Sequence, residues 1–311
     1  MAHLEHRSLG RSDLSVSALA LGSWRTYERM RREDGVALMT AAREAGIDFL
    51  DDARYDDETG EAPIPTGYSE IVFGELFRAS GWRREEVTVS NKLWWQFWPE
   101  QTAAEELDAS LQRMGLDHLD LVYSEQPPEG LALEELVAAV TELIAAGKAR
   151  AWGVLNWPAE QIVEAGGIAA AQGVPGPCAA QLAYSLVMRS PVEREDTIRA
   201  LESSGASVVA SEVLARGALT GRGRSGRAAE AGASARLEGA FDVGNRLRYL
   251  AAELETTAVQ LALAFVLANP LVATGLFGAS RPEQVRENVG ALTLLERLGE
   301  DDLAELRALR A

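Results

Sequence analysis

The sequence predicts a closed (β/α)8 barrel, a TIM-barrel architecture, with a β-hairpin in front of it and extra helices at its C-terminal end. Two observations carry this. Short apolar runs alternate with amphipathic stretches along all 311 residues, and parallel strands need a crossover helix between neighbours. Eight such runs are present and no low-complexity linker divides them, so residues 1–311 read as a single barrel domain. A doubly wound open sheet is the other architecture that fits the alternation.

In chain order, Leu4–Leu9 and Leu14–Val16 flank a turn at Gly10-Arg11-Ser12-Asp13 and form the hairpin. The barrel strands are expected at Ala18–Gly22, Ile47–Asp51, Val87–Lys92, Leu119–Ser124, Ala151–Leu155, Ala179–Ala183, Ser207–Ser211 and Val272–Phe277. Helical spacers fall at Gly35–Ala45, Thr102–Met114, Leu133–Ala146, Ala159–Ala171 and Glu193–Ser203. A long loop rich in Gly, Arg, Ala and Ser spans Arg216–Glu238, followed by helices at Asn245–Leu254 and Val259–Leu267. The last helix, Glu300–Leu309, is expected on the outside of the barrel.

Composition narrows the function. A balance of 47% hydrophobic and 25% charged residues is that of a soluble protein with a large core. The net charge of −17 disfavours a nucleic-acid partner, because phosphate binding needs a basic surface. No apolar run approaches the roughly 18 residues of a membrane span. Charges in the first seven residues leave no signal-peptide core, so a cytoplasmic location is expected. Cys178 is the only cysteine, which excludes an internal disulfide, and with three histidines a zinc site is disfavoured.

In such a barrel the functional side chains sit at the C-terminal ends of the strands. That rule selects Gly22-Ser23-Trp24, Asp51-Asp52, Lys92, Glu125, Asn156, Gln181, Ser211-Glu212 and Gly278-Ala279-Ser280-Arg281. The last of these opens a strand–turn–helix segment with Pro282 in the first turn, and helix N-termini bind phosphate. Arg281 adds a forked cation suited to the 2′-phosphate that separates NADP from NAD. Glu287 and Asn288, one turn on, are placed to meet an adenine edge. The Gly-x-Gly-x-x-Gly fingerprint of a Rossmann site is missing.

These segments together resemble the aldo-keto reductase family over nearly the whole chain. Arg7-Ser8-Leu9-Gly10-Arg11-Ser12 and Ala20-Leu21-Gly22-Ser23-Trp24 resemble the family's opening hairpin and first strand. Gly46-Ile47-Asp48-Phe49-Leu50-Asp51 resembles the segment with its catalytic Asp, and Val89-Ser90-Asn91-Lys92 the one with its catalytic Lys. Gly278-Ala279-Ser280-Arg281-Pro282-Glu283-Gln284, with Glu287-Asn288, resembles the adenosine-phosphate motif of the branch that includes potassium-channel β subunits. The resemblance implies NADP(H) as cofactor, hydride transfer to a small organic substrate, and Asn156 and Gln181 on the nicotinamide carboxamide. Gly22, Ser23 and Trp24 would line the site.

The resemblance also implies a proton donor, a Tyr acting beside Lys92 and Asp51. The family spaces it five residues after the Asp, whereas Tyr55 follows Asp51 by four. A long loop at Asp56–Gly67 then leads to Tyr68, so both tyrosines are candidates, with Tyr55 preferred. Glu125 ends Asp120-Leu121-Val122-Tyr123-Ser124-Glu125, where the family has His. Protonated, it would donate to a carbonyl and favour reduction of a conjugated C=C bond, as in the steroid-reducing branch that carries Glu there. Ionised, it would repel the developing oxyanion and slow ordinary carbonyl reduction. Leu155 and Ser211 replace the family's Ser and its stacking aromatic. Trp94, Trp95, Phe97 and Trp98 are candidates to wall a substrate pocket. A cofactor-binding sensor or partner protein with vestigial catalysis is the alternative class.

Overall fold

The computed structural model describes residues 4–223 and 235–309. Eight parallel strands close into a barrel: β3 (Leu19–Gly22), β4 (Phe49–Asp51), β5 (Thr88–Leu93), β6 (Leu119–Ser124), β7 (Ala149–Leu155), β8 (Ala179–Ala183), β9 (Ser207–Ser211) and β10 (Val272–Phe277). Closure comes from β10 pairing with β3, Gly275 opposite Leu19. Strands β6, β8, β9 and β10 match the sequence expectation residue for residue.

Between the strands lie α1 (Arg32–Glu44), α2 (Tyr68–Ala79), α3 (Ala103–Met114), α4 (Leu133–Ala145), α5 (Ala159–Gln172), α6 (Ser190–Glu193) and α7 (Glu195–Ser204). Then come α8 (Ala235–Glu253), α9 (Ala258–Leu267), α10 (Pro282–Leu295) and α11 (Glu300–Ala308). Helix α3 starts where its sequence dictates: Thr102 and Glu105 exchange side-chain and backbone hydrogen bonds in a capping box. The helix expected over Glu193–Ser203 is two helices, because Arg194 takes an extended conformation (ψ 141°). Of the long loop expected over Arg216–Glu238, Ala215–Thr220 form a 3-10 turn and the chain is helical again from Ala235. Residues 224–234 of that loop lie outside the described residues.

The barrel interior is filled by Ala20, Phe49, Leu121, Tyr123, Leu155, Val209 and Ala273. The hairpin of β1 (His6–Ser8) and β2 (Ser15–Ser17) closes its lower end, with Leu9, Leu14 and Val16 buried in the same cluster. Each such leucine contributes about 1.5–3 kcal/mol by leaving water. Arg7 ties the hairpin to the barrel, donating to the carbonyls of Leu267 (3.0 Å) and Val272 (2.9 Å). Gly10 has φ +56°, and a Cβ there would meet the Cys178 carbonyl at 2.1 Å, so no side chain fits the turn. Among the described residues no single helix is long and apolar enough to cross a membrane.

Candidate active site

The alternation of β5 turns Ser90 and Lys92 toward the barrel axis and Asn91 toward α2, where it donates to Glu70 (2.8 Å). Lys92 is buried and donates to Asp51 Oδ2 (2.8 Å) and to the Asp52 carbonyl (2.9 Å). Asp51 Oδ1 accepts from Ser90 Oγ (2.6 Å) and from Gln181 Nε2 (3.3 Å). Three strands, β4, β5 and β8, thus converge on one carboxylate. Such a pair is held against its desolvation cost only because every oxygen of Asp51 has a donor.

Tyr55 lies against this cluster. Lys92 Nζ is 5.9 Å from the centre of its ring, and Trp94 packs on it at 6.4 Å. Burial, then the charges of Asp51 and Asp52, push its phenol well above the usual range, so it is held in the neutral, proton-carrying form. Tyr68 takes a different course. The loop after Tyr55 is closed at its base, Gly67 N donating to the Tyr55 carbonyl (2.8 Å) and Asp56 bridging to Thr66. Tyr68 then starts α2, and its hydroxyl accepts from Arg32 Nη2 (3.0 Å), with the same guanidinium 5.6 Å from its ring. Of the two tyrosines, only Tyr55 sits beside Lys92.

Glu125 follows the last residue of β6 and its backbone N–H donates to the Leu93 carbonyl (2.9 Å). It is half-buried, makes no ion pair among the described residues, and burial raises its carboxyl pKa. His118 lies before β6, at the opposite end of the barrel, in an open groove of about 510 Å³. The charges of that groove are paired with one another: Asp120 with Arg84 (2.7 Å) and Arg150 (3.0 Å), and Arg150 with Asp13 (3.0 Å). This larger cavity is a salt-bridged floor, remote from Lys92.

Ser23 and Trp24 follow β3. Ser23 is fully buried and its hydroxyl bonds Asp52 Oδ1. Trp24 lies between two guanidiniums, Arg25 at 5.0 Å and Arg216 at 5.3 Å from the ring. It borders, with Tyr55 and Glu28, a small pocket of about 20 Å³. Asn156 is exposed with φ +54°, a conformation Asn tolerates better than most residues. Gln181 commits its amide nitrogen to Asp51. Of the four aromatic residues after Lys92, only Trp94 faces Tyr55. Trp95 and Trp98 pack edge-on at 6.2 Å within the outer core, and Phe97 stacks under Arg54 at 5.2 Å.

In the turn after β10, the N–H groups of Ser280 (2.7 Å) and Arg281 (3.0 Å) and the Ser280 hydroxyl (3.1 Å) all donate to Gln284 Oε1. Three donors converge on one oxygen at the start of α10, beside Gly278 and an exposed Arg281 that makes no ion pair among the described residues. That donor set suits a phosphate. Glu287 is paired with Arg222 (2.7 Å), and Asn288 is almost wholly buried on the inner face of α10.

Ser90 is the residue that sequence reasoning passed over, while Asp52 was selected with Asp51 by the strand-end rule but given no role. Ser90 was within reach, since it shares the face of Lys92 by the two-residue period of a strand. The role of Asp52 was not readable, because it lies beyond the strand, where side-chain direction depends on the loop.

A barrel whose C-terminal rim carries a buried Lys–Asp pair, an adjacent Tyr and a phosphate-type turn defines a class of nicotinamide-linked oxidoreductases. The comparisons agree. The sequence profile of the Aldo/keto reductase family matches residues 18–311. A rice (Oryza sativa subsp. japonica) protein named as a voltage-gated potassium channel subunit beta is 31% identical, covering 98% of this chain and 96% of its own length. A protein named likewise from Arabidopsis thaliana is 30% identical over 95% of this chain and 93% of its own. One from Schizosaccharomyces pombe is 32% identical, covering 96% of this chain and 91% of its own. The chain belongs to the aldo/keto reductase family.

Proposed function

We propose that the protein is a cytoplasmic, NADP(H)-dependent oxidoreductase that reduces a carbonyl or a conjugated C=C bond of a small organic substrate. The observation that carries this reading is Lys92, held between Asp51 and the Tyr55 ring at the barrel rim. Ser280, Arg281 and the first turn of α10 would hold the adenosine phosphate, with Gln284 releasing the three donors it now occupies. Asn156 and Gln181 would hold the carboxamide. When bound, the reduced nicotinamide supplies hydride. The chain supplies the proton, from the neutral Tyr55 phenol, to the oxygen on which negative charge develops.

Glu125 sets the choice between C=O and C=C. Burial moves it toward its neutral, hydrogen-donating form, which supports the enone reading. Reduction of cyclohexenone but not cyclohexanone selects it, and the reverse preference removes it. NADPH binding is followed by its fluorescence, and Arg281→Ala should weaken it about tenfold or more through the loss of a charge-assisted contact. Unchanged fluorescence at saturating NADPH would falsify the reading as a whole. A second reading, an NADP(H)-binding partner protein with vestigial catalysis, draws on the names of the relatives and on Ser211 in place of a stacking aromatic. It predicts NADPH binding without turnover of either probe.

A further inference from the structure

The proposed reaction gives no task to Arg54, the residue immediately before Tyr55, although its charge is buried. The Tyr55 N–H donates to the Ala53 carbonyl (3.0 Å), a three-residue turn centred on Arg54. That turn brings Tyr55 against Lys92 only four residues after Asp51. The Arg54 side chain leaves the turn and engages three other segments. Its Nη1 donates to Thr66 Oγ1 (3.0 Å), at the far end of the loop that follows Tyr55, and to Gln96 Oε1 (2.8 Å), in the loop after β5. Its guanidinium lies 5.2 Å from the Phe97 ring in that same loop. Its Nη2 is 3.5 Å from Glu106 Oε1 on α3, and both side chains of this ion pair are only 4% exposed.

Glu106 has a second set of contacts. Its Oε1 accepts from the Trp94 N–H (2.9 Å) and its Oε2 from the Trp95 N–H (3.1 Å). Trp94 in turn packs on Tyr55 with ring centres 6.4 Å apart. The contacts therefore close on themselves: Tyr55, Arg54, Glu106, Trp94 and back to Tyr55. A branch leaves through Trp95, whose backbone is left-handed (φ +57°). The Trp95 indole N–H donates to Ser124 Oγ (2.9 Å), and that hydroxyl donates to the Glu125 carbonyl (2.8 Å).

A pair this dry is a poor source of stability, because each charge is desolvated and the guanidinium leaves Nε and Nη2 without hydrogen bonds. Apolar side chains of the same volume would pack these loops at less cost. What apolar packing lacks is direction, and a planar fork with several donors supplies it.

We propose that Arg54 and Glu106 are positioning residues, a buried clamp that holds the Tyr55 phenol against Trp94 and sets both at a fixed distance from Glu125. The proposal rests on the reductase reading above. Arg54 fixes the turn that presents the proton donor. Glu106 fixes the two backbone N–H groups that place the facing indole and, through Trp95 and Ser124, the backbone at Glu125. Neither residue touches substrate, so loosening the clamp misplaces the proton donor and leaves the phosphate-type turn at Ser280 and Arg281 intact.

Two variants of the full-length protein test this. Arg54→Lys keeps the charge and loses the fork. Arg54→Met combined with Glu106→Gln removes both charges, so no buried ion is stranded. Near-UV circular dichroism, with the Trp94 contribution taken as the difference from Trp94→Phe, reads the packing of Trp94 on Tyr55 without turnover. Both variants should lose that contribution while their far-UV spectra stay as in the wild type. In NADPH-dependent reduction of cyclohexenone or nitrobenzaldehyde, kcat should fall about tenfold to a hundredfold, as for a slightly misplaced reacting group. The NADPH dissociation constant should stay within about twofold, since the two sites share no partner. The proposal is overturned if either variant keeps the Trp94 contribution, if either keeps wild-type kcat, or if NADPH affinity falls by the same factor as kcat. If the wild type binds NADPH and turns over neither probe, the reductase reading fails, and the Trp94 contribution still decides whether the clamp holds Trp94 to Tyr55.

Discussion

The two rims of the barrel differ in which residues carry the left-handed backbone conformation. Each of the six turns that lead from a helix into β4 through β9 has a glycine at positive φ: Gly46, Gly81, Gly115, Gly147, Gly173 and Gly205. At the C-terminal rim the left-handed conformation falls on glycines such as Gly67, Gly130 and Gly217 and also on Arg25, Trp95, Asn156, Glu212, Ala215 and Arg216, just after β3, β5, β7 or β9. A side chain in that conformation costs about 1 kcal/mol or more, which glycine avoids. The charges divide in the same way. At the floor they are paired: His6 with Asp48 (2.6 Å), Asp120 with Arg84 and Arg150. At the rim, Asp52 Oδ2, Trp94 Nε1 and the Tyr27 hydroxyl are buried without partners. Orphaned polar atoms also occur at the floor, at Arg84 Nε and Trp82 Nε1, so the two ends differ chiefly in the backbone strain that the rim places on side-chain-bearing residues.

The largest effect that would sharpen this contrast is at the rim. Lys92→Met leaves Asp51 buried without its cation, and should cost about 3–5 kcal/mol in chemical denaturation. NADPH-dependent turnover should fall with it by at least about a hundredfold. At the floor, Leu9→Ala should cost about 2–5 kcal/mol through the cavity it opens, with kcat close to wild type at a temperature where the variant is folded. An equal loss of kcat would break the division between the two ends. The smallest effect is in the turns. Gly115→Ala should destabilise by about 1–2 kcal/mol, while Glu212→Gly should be neutral or stabilising by up to about 1 kcal/mol. Destabilisation by Glu212→Gly would show that its ion pair with Arg216 (3.2 Å) outweighs the strain.

The floor was the legible end. Strand positions follow from apolar runs and turn glycines, both local signals, and four strands were placed to the residue. The strand–turn–helix segment was legible as well, because Gly278 to Gln284 is continuous in sequence with its own local geometry. What the sequence left open is at the rim, where contacts are long-range. Which of Tyr55 and Tyr68 lies beside Lys92 depended on the Gly67 N–H closing the loop at its base, and on Arg32 engaging Tyr68 from another helix. Helix α2 was missed because Gly67 (φ +79°) starts it with no side-chain cap. Trp95 and Trp98 follow Lys92 directly, yet they pack into the outer core, which no spacing rule distinguishes from a pocket wall.

The hairpin under the barrel has a consequence for traffic. With Leu9, Leu14 and Val16 packed into the lower end, the structure is a cup and not a tube. On the proposed function, substrate, product and dinucleotide would all pass over one lip. Whatever narrows that lip would then slow all of these exchanges together, so the described loops of the rim would act as both stopper and valve.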